Sequence, residues 1–293
     1  AAGVQSTLDE LRGAGIQPIG MGQDEHEAAL PAIVKAGGLS IAFLGYTTCH
    51  HVLDRTHEFV ACYADPKRIA EDVERVDAQA DAVVVSCHTG VMHNEYPSPE
   101  TRAMARAALE AGAVAFLGHH PHVTQGSEVI ADGVAYYSLG DFVCIPYPGW
   151  RRPTYFVRLE IEPHRAAPHR IEPCWIDEDC RTRLADEERT REIVERHVRQ
   201  CNALADGSND RLHFQTATAS MRRYFRAWRR EFHEYGLTTI FHKIRSIRRY
   251  HLQLLWRAVR NRVIGWRPCR PAVEESANIP RGGDSKPERR GHA

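Results

Sequence analysis

The segment Ala113-Val-Ala-Phe-Leu-Gly-His-His-Pro-His122 joins a short apolar run to a turn that contains three histidines. An earlier segment, Asp81-Ala-Val-Val-Val-Ser-Cys-His88, has the same form, with apolar residues followed by a histidine. Continuous apolar runs of this length are typical of strands that are buried on both faces of a parallel sheet. Between them, Ser98-Pro99-Glu100 opens a predicted helix that Gly112 ends. The order strand, helix, strand predicts an α/β fold.

Further strands are predicted on either side of this unit. Gly37-Gly38 separates two β-type runs, and Asp132-Gly133 separates two more, as expected for hairpin turns. Pro66 is well placed to begin a helix before the first buried strand. Residues Thr154–Glu162 and Ile171–Ile176 are also predicted to be strands. The sheet is therefore expected to gain antiparallel strands toward the end of this region.

The composition limits the class of protein. The 293 residues are 43% hydrophobic and 26% charged, which is ordinary for a globular protein. No apolar run reaches about 18 residues, so we expect no membrane-spanning helix. The eight cysteines form no CxxC pair, which argues against a zinc ribbon and favours buried free thiols. The chain opens without Met and without a signal peptide, and we interpret it as a fragment or a processed product.

The charge distribution predicts three parts in the chain. Residues 1–180 are assigned to the α/β domain, 181–267 to a helical, basic, amphipathic appendage, and 268–293 to a disordered tail. Within the appendage, Met221–Arg267 contain 13 Lys and Arg against 2 Asp and Glu. Three roles stay open for the basic segment 219–267: docking on the acidic α/β part, lying on a membrane surface, or binding nucleic acid.

The histidines at the predicted strand ends carry the densest chemical signal. Ligands of α/β sheets collect at the carboxyl ends of strands, where His88, His120 and His122 would meet. Imidazole suits manganese, iron and zinc ions, and it binds them as the neutral ring. The residues therefore favour a metal site, although isolated histidines are more often core or surface residues. His93 and Glu95 follow on a loop as candidate substrate or acid–base residues, or as solvated loop residues.

Three segments together resemble the bacterial CapA family of capsule and poly-γ-glutamate synthesis proteins. They are VVVSCHTG at 83–90, SPETRAMARAALEAGAVAFLGHHPHVTQGSEVI at 98–130 and GVAYYSLGDF at 133–142. The opening LDELRGAGIQPIGMGQDEHEAALPAIVKAGGLSIAFLGYTT at 8–48 is also similar to a family segment. The similarity covers roughly residues 3–162, and its GHHPH turn with the trailing SLGDF is quite specific.

The resemblance implies a calcineurin-like metallophosphoesterase fold, a four-layer α-β-β-α sandwich that is N-terminally incomplete here and carries a C-terminal helical appendage. It implies two divalent metal ions, Mn, Fe or Zn, in the full-length form, with His88, His120 and His122 as ligands. His119 would act in catalysis, orient a neighbouring group or replace His120 as ligand. Asp141 stands where the family commonly has Asn, and it would cap a turn or contact a metal-binding histidine.

The family's earlier metal ligands are an Asp, a turn bearing Asp or Asn, and an Asn-His pair. They have no counterpart in this sequence, which begins just after the expected place of the Asn-His pair. We therefore expect the fragment alone to be inactive and the full-length form to be a metal-dependent hydrolase of the phosphoesterase type. His93 and His119 are the candidate catalytic residues.

The leading functional expectation is a role in capsule or poly-γ-glutamate synthesis or export. The alternatives are a non-catalytic assembly factor of a membrane polymer-synthase complex, and a phosphodiesterase or nuclease. The expected partners are polymer-synthase components or a phosphorylated, polyanionic substrate, with a peripheral membrane contact through residues 219–267 and no specific nucleic acid. The expected location is bacterial, either cytoplasmic or associated with the inner membrane.

Overall fold

A computed structural model describes residues 2–48, 59–143 and 153–218. These residues form an α/β fold, as predicted. In chain order the elements are α1 (Ala2–Gly13), β1 (Met21–Gly22), α2 (Glu25–Ala28), β2 (Ala32–Ala36), β3 (Leu39–Thr47), β4 (Val60–Ala61), α3 (Pro66–Asp77), β5 (Ala82–His88), α4 (Pro99–Glu110), β6 (Ala115–His119), β7 (Ser127–Ile130), β8 (Gly133–Tyr136), β9 (Pro153–Glu162), β10 (Arg165–Ile176), β11 (Thr182–Leu184) and α5 (Glu187–Ala205). A further helix, α6, begins at residue 209 and is described to residue 218.

The main sheet has six strands in the order β2-β3-β5-β6-β8-β7. Its four central strands are parallel, and each edge is the antiparallel partner strand of a hairpin. The two hairpins are those predicted at Gly37-Gly38 and Asp132-Gly133. The apolar runs of β5 and β6 lie at the centre of this sheet, where both faces are covered.

A second sheet, with the order β11-β10-β9, is antiparallel. It packs on one face of the main sheet, where Tyr155 of β9 lies with its ring 6.3 Å from that of Tyr136 of β8. Helices α3 and α4 contribute to the hydrophobic core on the other face, which includes Val85 and Phe116. The predicted α/β class is thereby confirmed, with two packed sheets and helices beside them.

Local sequence explains why the segments between the central strands are helical. Ser98 caps α4, because its Oγ accepts a hydrogen bond of 3.1 Å from the backbone N–H of Thr101. Asp65 caps α3 in the same way through the N–H groups of Lys67 and Arg68. A proline follows each cap and suits the first helical turn.

The C-terminal region differs in one respect from the sequence-based expectation. The polar, glycine-containing stretch 202–211 predicts a linker, but α5 continues to Ala205 and α6 begins at 209. Only residues 206–208 separate the two helices, because the apolar and amide residues that follow are buried against the α/β part. The predictions for residues 219–267 and 268–293 lie outside the described residues.

Cysteine and membrane predictions are tested only where the structure describes the chain. Its free cysteines in those ranges are Cys62, Cys87, Cys174, Cys180 and Cys201, of which the first three are buried. Among the helices of the same ranges, none combines the length and the apolar content that crossing a membrane requires.

Among the glycines of the described residues, Gly118 leaves the least room for an added methyl group. A Cβ there would lie 2.0 Å from the carbonyl oxygen of Tyr137, which is backbone and cannot rotate away. We expect Gly118→Ala to lower the free energy of unfolding by roughly 3 kcal/mol, measured by urea denaturation.

Gly13→Ala is the matched control, because nothing lies within 4 Å of its added Cβ. We expect this change to alter the free energy of unfolding by less than about 1 kcal/mol. Equal stability of the two variants would contradict the close approach of Gly118 to Tyr137.

Candidate functional site

The register of the main sheet places the predicted site residues at one edge. In the parallel ladder of β5 and β6, His88 lies beside His119, and Thr47 at the end of β3 lies beside His88. The carboxyl ends of three neighbouring strands therefore meet, and the sequence predicted this for two of them, β5 and β6.

The two turns that follow β5 and β6 have unusual backbone conformations. His93, His120 and His122 all have positive φ, at 60°, 102° and 58°. Residues other than glycine adopt this left-handed region at a cost of about 1–3 kcal/mol, and such residues cluster at functional sites. The turns are tied together, since the N–H of His93 donates to the carbonyl of Pro121 at 2.7 Å.

His88 and His120 form a close imidazole pair. The Nδ1 of His120 is 3.0 Å from the Nε2 of His88, and the ring centroids are 4.8 Å apart. Burial lowers the pKa of His88, and the nearby charge of His122 lowers it further. The neutral ring is thus favoured, which is the form that binds a metal ion.

His122 and Asp141 form a second pair. The Nδ1 of His122 lies 2.7 Å from Oδ1 of Asp141, whose side chain is only 12% exposed. Within the described residues, the other carboxylate oxygen, Oδ2, is buried and accepts no hydrogen bond. A carboxylate on Nδ1 fixes the ring tautomer and leaves Nε2 as the nitrogen that can bind a cation.

His119 is not part of the His88–His120 contact and instead lines a neighbouring cavity. Its side chain lines a cavity of about 280 Å³ that is also lined by Asp141 and by Phe142 and Phe156. Burial lowers the pKa of His119, and the charge of His88 acts in the same direction. His120, rather than His119, supplies the ring nitrogen nearest to His88.

His93 extends the group of histidines on the side of His122. The ring centroids of His93 and His122 are 6.2 Å apart, and those of His120 and His122 are also 6.2 Å apart. Glu95 is partly buried on the same loop as His93. The rings of four of the five predicted histidines therefore form a chain of neighbours in the order His88, His120, His122 and His93. His119 is next to His88 in the sheet.

The donor types suit a divalent metal ion, but the described donors are too few for two ions. Over residues 2–48, 59–143 and 153–218, no three His, Cys, Asp or Glu side chains gather around one point. Burial favours the neutral ring of His88, and Asp141 keeps a buried acceptor, so the chemistry fits a metal site. A complete dinuclear site would need ligands from beyond these residues.

Sequence reasoning missed a set of buried polar residues behind the turns. They are Asn94, Gln125, Gln200 and His213. No local motif marks them, because Asn94 and His213 are 119 positions apart. Asn94 and Gln125 lie on loops, and Gln200 and His213 lie on helices, so no common periodicity in the sequence distinguishes them from exposed polar residues.

Comparisons with known proteins find similarity to bacterial proteins of capsule synthesis. Residues 1–145 match the family model described as "Bacterial capsule synthesis protein PGA_cap". The chain is 30% identical over 158 residues to "Capsule biosynthesis protein CapA" of Bacillus anthracis, covering 52% of this chain and 38% of that protein. It is 33% identical over 153 residues to "PGA biosynthesis protein CapA" of Bacillus subtilis, covering 51% and 40%. The chain thus spans about two-fifths of the length of these curated relatives.

Among solved structures, a hypothetical protein from Thermus thermophilus is similar over 49% of this chain and 60% of its own. The TM-score is 0.34 and the sequence identity is 18%. A likeness at that level supports no assignment.

Acid should weaken the fold through the buried histidines. In metal-free protein, we expect the imidazoles of His88 and His119 to titrate below the ordinary value of 6.5, because burial disfavours their charged forms. The unfolded chain then takes up protons near pH 6.5, whereas the folded chain takes them up only at lower pH. The free energy of unfolding therefore falls as the pH drops below 6.5.

NMR titration of the ring protons in EDTA-treated protein measures both midpoints. Urea denaturation at a series of pH values measures the accompanying loss of stability. A midpoint above 6.5 for either ring would contradict the role of burial.

Proposed function

Because this chain belongs, through residues 1–145, to the family of the bacterial capsule synthesis protein PGA_cap, we propose that it takes part in making or exporting a bacterial capsule polymer of the poly-γ-glutamate class. Two relatives support this proposal by their printed names, one for capsule biosynthesis and one for PGA biosynthesis. We propose that the protein acts in bacterial cells, either in the cytoplasm or at the inner membrane. Its proposed partners are components of a polymer synthase.

We propose further that the histidine site performs metal-dependent hydrolysis of a phosphoester. The observation that carries this is the contact of 3.0 Å between His88 and His120 at the strand ends. His88, His120 and His122 would hold a divalent ion such as manganese, iron or zinc. When bound, such an ion activates water and polarises a phosphoryl oxygen.

The chain's own residues would prepare this chemistry. Burial keeps His88 neutral, so that its ring nitrogen has a lone pair for a cation. Asp141 contacts Nδ1 of His122 and so directs the Nε2 of that ring toward a ligand. His93 is on the adjacent turn, where an imidazole can give or accept a proton.

A non-catalytic assembly factor is the second candidate function. This candidate function does not require a complete metal site within the described residues. Such a protein would have the same fold and would bind a synthase complex without catalysing a reaction. The nuclease alternative, like the proposed membrane contact, depends on residues 219–267, which are not among the described ones.

The metal proposal is tested by the affinity of the full chain for Mn²⁺. We expect about one ion or more per chain, and we expect His120→Ala to weaken binding at least about 10-fold, because one ligand is lost. Elemental analysis and calorimetry measure stoichiometry and affinity. His26→Ala is the matched control, since His26 is exposed on α2.

The same variants separate the two functions in cells. In the native host, we expect His120→Ala to abolish surface polymer if the site is catalytic, and to preserve it if the protein is an assembly factor. Deleting the gene should remove the polymer in both cases. Unchanged polymer after deletion would contradict a role in capsule formation.

A further inference from the structure

We infer that α5 and α6, which lie beyond the residues that match the family model, are positioning elements of the histidine site. Gln200 on α5 and His213 on α6 hold the two loops that carry His122 and His93. The identity of the ligand at this site rests on the proposed function. The inference that the two helices position the loops does not depend on it.

The first loop, residues 89–98, carries His93 and is anchored to α6. The Nδ2 of Asn94 donates to the backbone carbonyl of His213 at 3.0 Å. The Nδ1 of His213 lies 2.8 Å from the carbonyl oxygen of Tyr96, and the side chain of Asn209 donates to the carbonyl of Pro97 at 3.0 Å. Asn94 and His213 are each 1% exposed, so water does not compete for these bonds.

The contacts of His213 indicate which of its ring nitrogens carries a proton. A carbonyl oxygen only accepts, so the short distance from Nδ1 to Tyr96 requires a proton on Nδ1. The side-chain nitrogen of Asn94 is also 3.1 Å from Nδ1, but a protonated Nδ1 has no lone pair to offer, so Asn94 donates to the carbonyl of His213. His213 therefore acts as a hydrogen-bond donor to the loop backbone.

The second loop, residues 120–126, carries His122 and is anchored to α5. The Nε2 of Gln200 donates to the carbonyl of Thr124 at 2.9 Å, and Gln200 is 2% exposed. Helix α5 approaches this loop so closely that a Cβ on Gly126 would lie 2.8 Å from the carbonyl carbon of Gln200. Loop and helix are thus in direct backbone contact.

The two loops are also bonded to each other. The side chain of Gln125 donates to the carbonyl of Asn94 at 2.7 Å, and the N–H of His93 donates to the carbonyl of Pro121 at 2.7 Å. A shift of either loop would therefore be transmitted to the other.

The hydrogen bonds from α5 and α6 to the two loops share one pattern. Side-chain N–H groups from α5 and α6 donate to backbone carbonyls of loop residues, which lie outside the named strands and helices. The loops need such support because His93, His120 and His122 have left-handed backbones, which persist only when the surroundings hold them.

The test uses the full chain labelled with ¹⁵N-histidine and compares ring shifts at pH 7.5. Gln200→Glu keeps the size of the side chain but, when ionised, loses the donor to Thr124. His213→Ala removes the donor to Tyr96, and His213→Asn restores an N–H near the position of Nδ1. The matched control is Gln79→Glu, which also removes a side-chain donor to a carbonyl, here on the exposed end of α3.

We expect Gln200→Glu and His213→Ala to move or broaden the ring signals of His93 and His122 and to leave that of His164 in place. Mn²⁺ affinity should fall roughly 10-fold. His213→Asn should lose only the signal of His213 itself, and Gln79→Glu should keep the wild-type spectrum. If Gln200→Glu does not fold, Asn209→Asp replaces it, because it removes the donor to Pro97.

Unchanged signals of His93 and His122 in folded variants, with only a lower unfolding midpoint, would overturn the inference, since the helices would then be structural alone. Failure of the wild-type chain to bind Mn²⁺ would contradict the proposed metal chemistry. The ring shifts would still decide the positioning role, so the two failures can be distinguished.

Discussion

The parallel register of β5 and β6 is the constraint on which the rest of the site depends. It brings His88 and His119 side by side, and it begins both turns at the same level of the sheet. The register is held by burial on both faces and by the backbone contact between Gly118 and Tyr137. A slip of one residue would turn His119 to the opposite face and separate the imidazoles.

The strained turns explain why so many buried polar groups lie behind them. Positive φ at three histidines is unfavourable, and a turn of this kind would relax if its carbonyls were free to rotate. Amide and imidazole donors from two helices hold those carbonyls. The hydroxyl of Tyr155 lies 2.8 Å from the carbonyl oxygen of Gln125 and 2.9 Å from that of Ser138, and its single proton is shared between them. The second sheet therefore also contributes to the stiffness of the site.

Local sequence predicted the elements that local chemistry determines. The apolar runs of β5 and β6, the cap at Ser98 and the two hairpin turns all appear where expected, and His88 and His120 meet at the strand ends. The sequence left open whether His119 or His120 contacts His88, because that choice depends on the twist of the turn. The support from α5 and α6 was not predicted, since burial of a distant side chain leaves no local pattern.

The bond between Asn94 and His213 joins two regions of which only the first lies within the family match. Both residues are enclosed, and each side chain bonds to a backbone carbonyl of the other region, so replacing either one removes a donor that no second change at the other position restores. Among related bacterial chains, each of the two positions should therefore keep a side-chain hydrogen-bond donor independently of the other. The evolutionary unit would then reach at least as far as α6.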